Sequence, residues 1–214
     1  MSALTKKLEL VNAALMALGN NRLSTLSVDS TDLIEALSAQ ELEHWIQEVL
    51  LLGPWKCVSS EASLSESVDT SDQAFAYAYA LPSDFVRMIG TPTFCGGVPI
   101  SASSADEGAL YNIRRNDNGV QLLECDFTQP QILYVYQNLA LEGYYDKIAP
   151  ELRNLIITKI KLELALPVTE NATLLESLEM RYMRQRKFAL ATLSHNGSGK
   201  VKDRGMLTGS ARSL

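Results

Sequence analysis

The stretch IAPELRNLIITKIKLELAL, residues 148–166, carries apolar residues on two sides of a helix at once. At about 100° per residue, Ile148, Leu155, Leu162 and Leu166 form one strip, and Ile156, Ile157, Ile160 and Leu164 form another. Lys159 and Glu163 lie between the strips, four residues apart and able to pair. A surface helix needs a single apolar stripe. Two strips fit a helix embedded among three neighbours of its own chain, its long charged side chains snorkelling outward. They equally fit a subunit that packs on itself with one side and on a copy of itself with the other. Under that second reading Ile156, Ile160 and Leu164, with Lys159 and Glu163, are the candidate subunit interface.

Helical periodicity extends outward from this stretch to both ends of the chain. Leu4, Leu8, Val11, Leu15 and Leu18 share one face of an N-terminal helix, with Gly19 as its stop. A second helix, capped by Ser30 or Thr31, runs to about Leu52 and ends at Gly53-Pro54. Its later half (Leu42, Trp45, Ile46, Val49, Leu50, Leu52) is apolar around most of its circumference, which predicts burial between neighbours. Beyond residue 166, Pro167 is expected to break the helix and Thr169 to cap the next. In that last helix Leu175, Leu178, Tyr182, Ala189 and Leu193 give a single stripe. Opposite the stripe stand Arg181, Arg184 and Lys187, which suit an acidic or phosphate-bearing partner or simply complement the helix C-terminus.

Between residues 55 and 139 the helical period gives way to short runs of strand character separated by Gly, Pro, Asn and Ser. LYNIRRNDNGVQLLECD (110–126) reads as a hairpin with Asn118-Gly119 in a type I′ turn. AFAYAYALPSDFVRMIGTP (74–92) reads as a strand, a corner at Pro82 and a return strand in the same sheet. The prediction is a mainly α chain with an inserted antiparallel β domain, an α+β fold. Residues 1–54 and 140–193 form a four-helix bundle from N- and C-terminal helix pairs, 55–139 form the β domain, and 194–214 form an extended tail.

The chain has 214 residues, of which 46% are apolar, enough for a substantial core. Its net charge of −6 argues against a surface given over to nucleic acid. The three cysteines, Cys57, Cys95 and Cys125, make neither a disulfide framework nor a CxxC pair, which predicts a reducing compartment. Lys6, Lys7 and Glu9 interrupt the apolar pattern at the start of the sequence, unlike a signal peptide or membrane span. No motif of the nucleotide-binding, zinc-hydrolase or serine-hydrolase kinds occurs, so neither cofactor, metal nor catalytic residue is assigned. Glu41, Glu43 and Glu48 supply carboxylates of the type a glycosidase uses, but acidic residues on a helix ordinarily face solvent. His44 and His195 lack partners of ligand type in sequence.

Four segments taken in order carry a resemblance: VNAALMALGNNRLSTL, a helix ending in GPWKC, YAYALPSDFVRMIG, and LALPVTENATLLESLEMRY. Together they resemble the head-to-tail adaptor family of tailed phages, in particular the tail tubular protein A and portal-attached tail accessory factors of short-tailed phages. The likeness runs over about residues 4–193. It implies a structural virion protein without enzymatic activity, a ring homo-oligomer of commonly about twelve copies docked under the portal protein. Such a ring extends the DNA channel, passes DNA without sequence-specific binding, and presents a surface to the downstream tail nozzle or tube protein. The location implied is the tail at the portal vertex of the virion, reached from the host cytoplasm during assembly, with no membrane binding. One branch of the accessory factors is associated with cell-wall hydrolysis, so a virion-associated peptidoglycan hydrolase is the alternative. A helical nucleic-acid-binding regulator acting through Arg181, Arg184 and Lys187 is another. The basic tail adds Lys200, Lys202, Arg204 and Arg212, with Met206 and Leu207 as an apolar anchor, as candidates for binding the portal or a neighbouring subunit.

Overall fold

A computed structural model of the chain describes residues 2–65, 75–93, 111–141, 143–169 and 171–195. Among these the order is α1, α2, six strands, then α3, α4 and α5, an α+β arrangement with two three-stranded antiparallel sheets. Helix α1 (Ala3–Ala17) is capped by Ser2, whose side chain accepts from the Thr5 amide. It stops at Gly19, which takes φ 81°, a conformation that costs a residue without Cβ little. Helix α2 (Leu33–Leu51) is capped by Asp32, not by Ser30 or Thr31. The Asp32 carboxylate accepts from the amides of Ile34 and Glu35, where the positive end of the helix dipole favours an anion, while Ser30 donates to Glu35 at 2.8 Å.

Helix α4 (Pro150–Thr169) is the hub of the helical part, packed along α1, α2 and α5. It buries Leu152, Leu155, Ile156, Thr158, Ile160, Leu164 and Ala165, residues that fall on more than one side of the helix. Pro167 does not break it. In the last turn a missing N–H loses one bond only, and the Thr169 hydroxyl closes the end on the Ala165 carbonyl at 2.7 Å. Thr169 therefore does not cap the final helix, α5 (Ala172–His195). Asn171 does, its side-chain oxygen accepting from the Leu174 amide at 3.1 Å. A Cβ at Gly53 would stand 2.5 Å from Leu190 Cδ2 and 3.0 Å from the Trp55 ring, so the glycine lets α5 close onto the end of α2.

Strands β1 (Ser59–Ser63), β6 (Gln131–Tyr136) and β3 (Phe85–Met88) make one sheet, in that spatial order. Strands β2 (Tyr77–Ala80), β5 (Gln121–Cys125) and β4 (Tyr111–Arg115) make the other. The segment 74–92 is therefore not a pair of strands within one sheet. Leu81 still donates to the Gln121 carbonyl of the second sheet, whereas the Asp84 carbonyl already accepts from Gln137 beside the first. Pro82, which has no amide to give a ladder, sits where the chain leaves one sheet for the other. Within β2 the alternation works as its sequence suggests. Tyr77 and Tyr79 pair with Cys125 and Leu123 on the core side, and Ala78 points the other way.

The β4–β5 hairpin forms, but not through a type I′ turn. Of Asn118 and Gly119 only Gly119 takes a positive φ, 80°. Its amide donates to the Asn116 carbonyl at 2.9 Å, and Asn116 also receives the Val120 amide on its side chain. A turn over 116–119 with its left-handed residue last needs glycine at that one position only.

Helix and sheet share one continuous core, which runs from Leu10 and Leu15 through Ile46 and Trp55 to Val135 and Tyr136. Helix α2 is tied to the strands by its own carbonyls: Gln137 donates to that of Glu43, Trp55 Nε1 to that of Val49, and Arg87 to that of Leu51. The short helix α3 (Tyr144–Lys147), absent from the sequence reading, plugs the junction with two tyrosines. The Tyr144 hydroxyl donates to the Tyr136 carbonyl at 3.0 Å, and among the described residues the buried Tyr145 hydroxyl has no hydrogen-bond partner.

Leu15→Ala and Ile160→Ala, both at fully buried sites, should each lower unfolding free energy by about 2–5 kcal/mol in a urea titration, whereas Leu4→Ala, at a site 58% exposed, should change it little. Tyr144→Phe should cost about 1 kcal/mol at neutral pH by stranding the Tyr136 carbonyl, while Tyr145→Phe should be neutral or stabilising. Burial raises both phenols above the ordinary tyrosine value of 10.0. The contribution is whole below the unfolded-state value of 10.0 and is lost as the pH rises from there through the raised folded-state value. Stability measured from pH 9 upward should therefore fall less steeply in either Phe variant than in the wild type.

Candidate interaction surface

Ile156, Ile160 and Leu164 are each 0% exposed within the single chain. They are covered by the chain's own helices and have no surface to offer a second copy, which corrects the expectation of a subunit interface there. Of the two meanings of a double apolar strip, the embedded helix is the one realised. Lys159 and Glu163 belong to the same seam. The Lys159 ammonium lies 2.5 Å from Glu163 and 2.7 Å from Glu48, so it links α4 to α2. Burial works against its charge, but the hydrogen bonds to Glu163 and Glu48 outweigh that and raise its pKa.

The carboxylates of α2 hold helices together. Glu43 is 2.5 Å from Lys7 of α1, and Glu48 meets both Lys159 and, at 3.5 Å, His44. Glu43 and His44 also border a polar groove of about 550 Å³ whose far wall includes Asp84. Asp84 accepts from the Tyr134 hydroxyl at 3.2 Å, and burial, then the Asp84 charge, raises that phenol's pKa. A second open groove of about 580 Å³ runs between the edge strands β3 and β4, with Arg87 and Arg115 on its walls. Arg114, on the same wall, pairs at 2.6 Å with Glu124, a buried carboxylate that needs that partner. Cys57 and Cys125 carry free thiols, and burial pushes the Cys125 thiol up, away from reactivity.

Helix α5 presents the clearest unpartnered face. It is 24 residues long, about 36 Å, yet among its described side chains only Leu178 and Ala189 are buried. On the side away from α4, Met180, Met183 and Phe188 are 59%, 48% and 63% exposed. Arg181, Arg184 and Lys187 stand among them, exposed, and among the described residues they enter no salt bridge. At about 100° per residue all six fall in an arc of about 160°. Arg181 also lowers the pKa of Lys161 on α4, after burial, the larger cause. The three cations are legible in the sequence as a charged face; the apolar members are not, because the inner stripe already accounts for the helix's burial. Their signal was three large apolar residues at positions where the inner stripe has none.

The tail candidates Lys200, Lys202, Arg204, Met206, Leu207 and Arg212, and the cysteine Cys95, lie outside the described residues. Among the described residues no helix is long and apolar enough to cross a membrane, and no three His, Cys, Asp or Glu side chains are grouped to hold a metal ion. No protein-family model matches the chain, and no curated protein sequence matches it significantly.

Proposed function

We propose that the chain is a structural virion subunit, a head-to-tail adaptor that assembles as a ring under the portal, extends the DNA channel and receives the next tail component. The observation that carries this reading is the outer face of α5. A helix of 24 residues that buries one stripe and turns Met180, Met183 and Phe188 to water leaves apolar surface that a subunit contact would cover. In this reading α1, α2, α4 and α5 form a four-helix bundle as the body of each subunit, and the two sheets shape its other end. The role is packing, without chemistry: Glu43 and Glu48 are tethers to Lys7 and Lys159. The resemblance in sequence order, from VNAALMALG to LEMRY, supplies the class of assembly.

Electron microscopy of the purified protein, alone and mixed with portal rings, tests the reading. Closed rings, free or seated coaxially on the portal, are the expected image. Particles that remain single chains under both conditions would refute it, and clearing of a cell-wall zymogram would transfer the role to the hydrolase alternative.

A further inference from the structure

The bare face of α5 has a counterpart elsewhere on the same chain. Where the chain enters α2, Val28 and Leu33 are 61% and 71% exposed, and Asp29 and Asp32 stand exposed between them. One patch is apolar and basic, the other apolar and acidic. The two cannot meet within one copy. Lys159 of α4 pairs with Glu48, and its neighbour Thr158 meets Gln185 of α5, so the middle of α5 lies level with Glu48 of α2. Leu33 is fifteen residues earlier on α2, about 22 Å along the helix axis.

We infer that the α5 face of one copy seats the Val28–Leu33 knob of the next, an inference that rests on the adaptor reading and names the surfaces its ring would use. Two α5 faces cannot pair with each other, because Arg181, Arg184 and Lys187 would oppose the same cations. A contact between unlike patches is heterologous. Repeated from copy to copy it closes into a ring or runs on as a filament, and it does not stop at a twofold dimer. Nucleic acid is the weaker occupant. Met180, Met183 and Phe188 would face a phosphate backbone with nothing to gain, and the chain as a whole carries −6.

Complementation tests the pairing. One variant, Met180→Asp with Phe188→Asp, blocks the α5 face and keeps the knob; the other, Val28→Lys with Leu33→Lys, blocks the knob and keeps the face. Both alter exposed positions, and circular dichroism checks that helix content is kept. The milder changes Arg184→Glu and Asp29→Lys back them up and should weaken self-association about tenfold or more. By mass photometry or sedimentation, each double variant should fall to single chains, and an equimolar mixture should give a one-to-one heterodimer and nothing larger. Wild-type rings with both variants still assembling would overturn this choice of surfaces and leave the adaptor reading standing. Loss of assembly in each variant with no heterodimer in the mixture would overturn the pairing. If only duplex DNA binding were lost in the α5 variant, the face would belong to nucleic acid. A wild-type chain that never assembles, with or without portal rings, would remove the adaptor reading and this contact together.

Discussion

Helix α4 cannot be exposed on any broad side, and the rest of the fold answers that constraint. Leu152, Leu155, Ile156, Ile160 and Leu164 are each 0% exposed, and with the buried Thr158 and Ala165 they wrap most of the helix. Covering them takes three helices, and α1, α2 and α5 supply the cover. The polar residues in this seam are satisfied locally. The Thr158 hydroxyl is shared between the Asn154 carbonyl and the Gln185 side chain, and Lys159 reaches Glu48 and Glu163. Each of these bonds also fixes the rotation of α4 against a neighbour, because a turn of the helix would bury an unpaired polar group.

The sheets are held in place through α2. Its carbonyls at Glu43, Val49 and Leu51 take bonds from Gln137, Trp55 and Arg87, so the helix that covers α4 on one side anchors the strands on another. Trp55 is 1% exposed and follows directly on the Gly53-Pro54 stop. The end of a helix and the landing site of α5 thus coincide within three residues, and the first strand begins shortly after, at Ser59. The corner at Leu81–Asp84 then divides the strands between two small sheets. Each face that results is short enough to be covered without a third layer.

Periodicity made the helices and most strands legible, since a stripe or an alternation states which residues must be covered. It does not say by what. Ile156, Ile160 and Leu164 read the same whether a neighbouring helix or a second copy covers them, and only the tertiary arrangement distinguishes the two. Boundaries depended on single bonds of near-equal merit: Asp32 in place of Ser30, Asn171 in place of Thr169. The split of segment 74–92 between two sheets was hidden because strand character is local while pairing is not; Tyr77 meets Cys125 across 48 residues of sequence. Of the candidate surface, Arg181, Arg184 and Lys187 were visible as a charged face. Met180, Met183 and Phe188 were not singled out, because an apolar residue in sequence is first assigned to the core.

Along α5 the side that the fold uses is separate from the side proposed for assembly. Leu178 and Ala189 are buried in the core, while Met180, Arg184 and Phe188 are exposed. A change on the outer side can alter what the helix meets without loosening what it rests on, since exposed substitutions away from the packed stripe ordinarily move stability by less than about 0.5 kcal/mol. The same separation holds at the other patch for Val28, Asp29 and Leu33, though not for Asp32, which also caps α2. In the proposed ring, a subunit that is stable alone before it joins others would need this independence. Its own core is complete without a partner, and the apolar surface left over is laced with like charges, which keeps single copies from collapsing onto one another through identical faces.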